Sequence, residues 1–96
     1  MDDKALYRQK RQAQLDEWKA DVAKLKARAA GATADVQIEM NRHAKELDHR
    51  MRDASAKLAE LASASEERWD SVRKNVERTW EALKAGVGAA AAKFKE

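Results

Sequence analysis

The residues best suited to acid–base or metal chemistry in this 96-residue chain are two histidines and seventeen carboxylates; it contains no cysteine. One spacing stands out. Glu46-Leu47-Asp48-His49 reads Glu-x-x-His, which di-iron helical bundles use in pairs together with two further glutamates. A homodimer would supply both copies, with Glu39 as the extra carboxylate. The helical angle argues otherwise. At about 100° per residue, Val36, Met40, Leu47 and Met51 cluster on one face, and Glu46 and His49 project away from it. Metal ligands of this kind must point into a core, so the pair is expected on a solvated face. His43 falls at the edge of the apolar face. A charge gained there between stacked helices would sense pH; the plainer reading is a boundary residue with one wet nitrogen.

No other arrangement suggests catalysis. Ser63, Ser65 and Ser71 have no histidine nearby in sequence, and the three glycines form no Gly-rich loop after a strand. Without cysteine, disulfides, zinc–thiolate sites and thiol catalysis drop out together. The expectation is a non-enzymatic protein with no metal, no cofactor and no small-molecule substrate.

What must position these side chains is helix. Leu58, Trp69 and Trp80 are spaced eleven apart, as are Leu61, Val72 and Leu83, and more weakly Ser65, Val76 and Val87. Eleven residues are almost three helical turns, so each set returns to one face. Earlier in the chain the apolar steps run Leu15, Trp18, Val22, Leu25, Ala29, Ala32, Val36, alternating three and four. They continue through Met40, His43, Leu47, Met51 and Ala54 to Leu58, and Phe94 lies a heptad beyond Val87. No proline interrupts the pattern. The mean step is close to that of a straight α-helix, which disfavours a long left-handed supercoil.

Two places can break the helix. Ser63 and Glu66 have capping-box spacing just before Trp69. Gly31, within Ala29-Ala30-Gly31-Ala32-Thr33, costs about 1 kcal/mol in a helix relative to alanine, but the heptad steps continue through it. The expected architecture is therefore all-α and single-domain. A long amphipathic helix over 3–62 is followed by a break at 62–65 and a second helix over 64–94, folded back as a helical hairpin or coiled coil that self-associates. A three-helix bundle with an additional turn at Gly31 is the alternative, and an unbroken helix in an oligomer is a third. Asp2 and Asp3 suit a helix start, Lys93 and Lys95 its end. Gly86 and Gly88 predict fraying beyond Lys84.

Charged residues make up 39% of the chain and the net charge is +3, yet the signs are evenly mixed. Residues 1–48 hold ten Lys/Arg and nine Asp/Glu, the remainder ten and eight. Acid-to-base pairs four apart (Glu46–Arg50, Asp48–Arg52, Asp53–Lys57, Asp70–Lys74) each support a solvated helix by a few tenths of a kcal/mol. A nucleic-acid binder would gather its bases on one face, so no nucleic-acid partner is expected. No stretch approaches the length of a membrane span. The polar Met1–Gln12 segment shows no secretory signal, so the cytoplasm is the expected compartment.

Two helices alone would leave much of the stripe wet, which makes self-association the expected use of Leu15, Trp18, Val22, Leu25, Val36, Met40, Leu47, Met51, Leu58, Leu61, Trp69, Val72, Val76, Trp80, Leu83 and Val87. Trp69 and Trp80 are the expected anchors, because aromatic residues commonly dominate interface energy. A second reading has Trp69, Val72, Val76, Trp80 and Leu83 inserting at a lipid surface, flanked by Arg68, Arg73, Arg78 and Lys84. Asp70, Glu77 and Glu81 on the polar face weaken attraction to anionic lipid.

Three stretches also carry a family likeness. Ala13-Gln14-Leu15-Asp16-Glu17-Trp18 with Val22 and Leu25, then Ala34-Asp35-Val36-Gln37-Ile38-Glu39, then Trp69-x-x-Val72 through Val76 to Trp80-x-x-Leu83-Lys84 preceded by Ala64-Ser65. In these the chain resembles short bacterial coiled-coil stress-response proteins of the cyanobacterial, apolipoprotein-like type. The tail is the most specific part. Gly31, His43 and His49 depart from the pattern. The resemblance implies a bacterial cytoplasmic helical protein linked to stress, with no reaction and no catalytic residues to transfer.

Overall fold

A computed structural model describes residues 3–94. Three helices occupy them: α1 (Asp3–Ala29), α2 (Ala34–Ser63) and α3 (Glu66–Lys93). The chain runs up, down and up, so α1 and α3 are parallel and α2 is antiparallel to both. Lys4 pairs with Glu66 at one end of α1 and α3, and Arg28 donates to the Phe94 carbonyl at the other. Between α2 and α3, Glu60 pairs with Arg68 and Glu39 with Lys93. The molecule measures 51 × 21 × 17 Å.

The long first helix expected over 3–62 is thus broken at residues 30–33, and the three-helix alternative fits. The reason is tertiary. Left straight, a single chain would offer α1 no cover for Leu15, Val22 and Leu25, which are at most 8% exposed here. Burying each of the three contributes about 1.5–3 kcal/mol, more than the net value of the few helical hydrogen bonds given up at about 0.5–1.5 kcal/mol each. Local continuity loses to burial. The turn itself is plain. Gly31 and Ala32 amides donate to the Arg28 and Ala29 carbonyls at 3.1 Å, and Thr33 swings to extended backbone (φ −63°, ψ 159°). No described residue has positive φ, so the reversal does not depend on glycine's freedom.

The second break falls where the sequence placed it, but with different chemistry. Ser65, not Ser63, precedes α3, and its side chain makes no cap hydrogen bond. The Ser63 hydroxyl instead donates back to the Glu60 carbonyl at 3.2 Å, and the expected partner, Glu66, is drawn to Lys4.

Eighteen hydrophobic residues form one core along the bundle axis, with no buried polar residue among those described. Alanine does much of the close packing: Ala29, Ala44 and Ala54 are at most 1% exposed. The stripe on α2 passes through Ala44 rather than His43. Val36, placed on the stripe by its spacing, is 41% exposed in the first turn of α2, at the end of the bundle. Fraying beyond Lys84 is not seen: α3 continues to Lys93, where the buried Phe94 ring meets His43 edge-on at 5.4 Å. Asp2 and Lys95 lie outside the described residues. Of the expected i,i+4 pairs, Glu46–Arg50 and Asp53–Lys57 form at 2.8 and 3.3 Å. Asp48 is taken by Lys26 of α1, and Asp70 by Arg73.

Two glycines separate by their surroundings. A Cβ on Gly31 would meet only the Arg28 carbonyl, at 3.9 Å, whereas one on Gly86 would lie 3.2 Å from the Leu47 side chain and 3.3 Å from that of Arg50. Gly31→Ala should raise stability by about 0.4–1 kcal/mol by restricting the unfolded chain. Gly86→Val should lower it by about 1–3 kcal/mol through overpacking. Urea unfolding of the two variants checks both signs.

Candidate functional site: an aromatic seam between the outer helices

The two parallel helices bring together aromatic residues with matched spacing. Tyr7 and Trp18 are eleven apart on α1, as Trp69 and Trp80 are on α3. Equal steps on parallel helices put them in register. Tyr7 meets Trp69 edge-on at 5.7 Å between ring centres, and Trp18 meets Trp80 at 6.5 Å with a tilt of 50°. Such pairs contribute about 0.5–1.5 kcal/mol beyond their buried area. The stripe expected from Leu15 onward leaves out Tyr7 and Arg11, which the structure adds to it. The signal was there, since Tyr7 stands eleven before Trp18.

Trp80 is the anchor. It is 2% exposed, and its indole Nε1 donates to the Arg11 carbonyl of α1 at 3.2 Å. That carbonyl lies inside a helix, and its second lone pair accepts the indole without displacing the helical bond. Trp69 and Trp18 are only half-buried, and pack against the edge of the core. The Trp69 ring has cations on it, with Lys4 at 5.4 Å and Arg73 at 5.9 Å. Arg73 bonds Glu77 at 2.6 Å, which holds its guanidinium above the ordinary arginine range. Glu77 also accepts from the Tyr7 hydroxyl at 3.5 Å. The Arg11 guanidinium stacks on Tyr7 at 5.1 Å and reaches Gln14 at 2.9 Å, but its Nε is buried without a partner. The seam therefore combines a packed centre with a cationic, half-exposed rim.

Beyond the tryptophans the seam opens. The last turns of α3 carry glycine and alanine, and an open groove of about 550 Å³ lies over Val22, Leu25, Val87, Ala90 and Ala91. Small side chains on α3 cannot fill the space facing α1.

The other expected stripe residues are accounted for. Leu15, Val22, Leu25, Met40, Leu47, Met51, Leu58, Leu61, Val72, Val76, Trp80, Leu83 and Val87 all lie in the core of the single chain, so within it they cover one another. The candidate ligands do not converge. His49 is exposed, Glu46 is paired with Arg50, and Glu39 bonds Lys93 at 2.9 Å and Arg42 at 2.7 Å. The Lys93 ammonium, and behind it Arg42, pulls the Glu39 carboxyl below its ordinary range. No group of His, Cys, Asp and Glu suited to a metal ion occurs among the described residues, and no described helix is long and apolar enough to cross a membrane. Comparison of the chain with protein-family models, with curated proteins and with solved structures gave no match.

Replacing the anchor and its neighbour should give unequal costs. Trp80→Ala should destabilise by about 3–5 kcal/mol, as a fully buried aromatic does, and Trp69→Ala by less than half as much. Thermal unfolding followed by circular dichroism measures both, and equal losses would mean that the two rings are equally buried.

Proposed function

We propose that the protein is a non-enzymatic helical protein that associates with copies of itself, acting in the cytoplasm as a stress-linked scaffold or protective factor through its apolar stripe. The observation that carries this reading is the α1–α3 seam. Its aromatic residues lie in matched register, its two helix backbones approach less closely than the other pairs, and it ends in an open groove. A stripe covered inside one chain becomes available to another only if a seam parts, and the open groove marks where this one is least covered. The chemistry-capable side chains fit a binding role, since Glu39 and Glu46 are held in ion pairs.

A second reading has the same parted stripe lying on a lipid surface. The half-buried Trp69 with Lys4 and Arg73 on its ring favours it, because tryptophan flanked by cations suits the headgroup level. In this state Trp69, Val72, Val76, Trp80 and Leu83 would face the lipid.

Sedimentation equilibrium over a wide concentration range, with and without anionic vesicles, tests the order of the two. A mass that rises with concentration in buffer supports self-association. A monomer at every concentration whose tryptophan emission shifts blue on vesicles contradicts it and supports the lipid surface.

A further inference from the structure

We propose that the α1–α2 turn is a hinge, and that straightening residues 30–33 into helix converts the bundle into a domain-swapped dimer with a second copy of this chain. The inference rests on the self-association reading and gives it a route.

Four observations meet at the turn. First, the apolar steps pass through it unbroken, from Leu25 and Ala29 to Ala32 and Val36. A straight helix through 30–33 would keep its stripe on one side. Second, little in the turn demands reversal. There is no proline and no positive φ, the Thr33 side chain makes no cap bond, and the space beside Gly31 is open. Third, Val36 is 41% exposed directly after the turn, on the face shared with Ala32 and Met40. In a straightened pair the two hinges would cross at the dimer axis, where Ala29 and Ala32 allow close approach and Val36 would be covered. Fourth, α1 lies wholly on one side of the turn, so its exchange leaves the α2–α3 hairpin intact, and its extensive contact with α2 and smaller contact with α3 re-form with the partner copy.

The swapped form gives up none of the core. Leu15, Val22 and Leu25 would meet the partner copy's α2 and α3 as they now meet their own, and the indole-to-Arg11 bond and the Lys26–Asp48 pair would form between chains. What changes is two turns becoming helix, set against the entropy of association, so the dimer gains with concentration. A continuous helix over 3–63 spans about 90 Å, long enough to run from one reconstituted bundle into the other. The second turn offers no such route, because a straight continuation would bring Ser65 onto the stripe.

The stereochemistry of the turn provides a sharp test. Ala34 is the first residue of α2, where proline loses no hydrogen bond and its fixed φ is already helical. Thr33 before it sits at φ −63°, ψ 159°, the region a following proline requires. Ala34→Pro therefore fits the closed bundle. In the straightened helix the same ring would clash with the carbonyl four residues back, weakening each hinge by about a hundredfold and the dimer by about ten-thousandfold. Thr33→Ala acts in the opposite sense, favouring helix by about threefold per hinge and tightening the dimer by about tenfold.

Sedimentation equilibrium of the full chain and both variants, with circular dichroism to confirm helix content, decides the matter. The expected result is a concentration-dependent dimer for the natural chain, a tighter one for Thr33→Ala, and a fully helical monomer for Ala34→Pro. Insertion of Gly-Gly after Gly31, which interrupts the long helix without altering α2, should also give a monomer. A folded Ala34→Pro or insertion variant that still dimerises like the natural chain overturns the hinge and leaves self-association standing through another surface. A monomer for both the natural chain and Thr33→Ala at every concentration overturns both.

Discussion

Each helix of this chain has a single narrow apolar stripe, and covering all three at once within one chain requires them to face a common axis. That constraint sets the positions of both turns. It carries α1 back along α2, places α3 in the angle between them, and makes α1 and α3 parallel. The depth of Trp80 follows from it, because α1 beside α3 offers the Arg11 carbonyl to the indole. So does the prevalence of alanine in the core, since large residues on all three stripes would hold the helices too far apart.

Much of this was legible in the sequence. Apolar spacing alone identified sixteen residues that the structure buries, among them Leu15, Met51, Val76 and Trp80. Helix type followed from the same pattern, and the break near 62–65 from the capping-box spacing of Ser63 and Glu66. The turn at 30–33 did not, because the steps through Ala29, Ala32 and Val36 are as regular as those of a continuous helix. What breaks it is the stripe's need for cover, which no local window contains. The identity of the α3 cap was also hidden. Ser63 and Glu66 have the right spacing, but Lys4, distant in sequence, competes for Glu66.

The seam shows how the two kinds of information combine. The eleven-residue interval from Tyr7 to Trp18 equals that from Trp69 to Trp80, but equal intervals become contacts only on parallel helices in register, and the chain reversal at 30–33 supplies that orientation. Arg11 was hidden for a different reason. A charged residue at a stripe position looks like the end of the stripe, whereas here its stem and guanidinium cover Tyr7 and its carbonyl receives Trp80. At the far end the sequence of α3 changes from tryptophan and leucine to glycine and alanine, and the groove opens where it does so. The α1–α3 contact is thus tightly packed at one end and open at the other.

The reversal of α1 is the claim on which the rest stands, and small-angle X-ray scattering extrapolated to zero concentration tests it most directly. A closed bundle predicts a particle about 51 Å long, with a Cα radius of gyration of 15.5 Å before hydration. A first helix left straight through Gly31 would instead give a rod of about 90 Å, and that length in the dilute monomer would contradict the fold described.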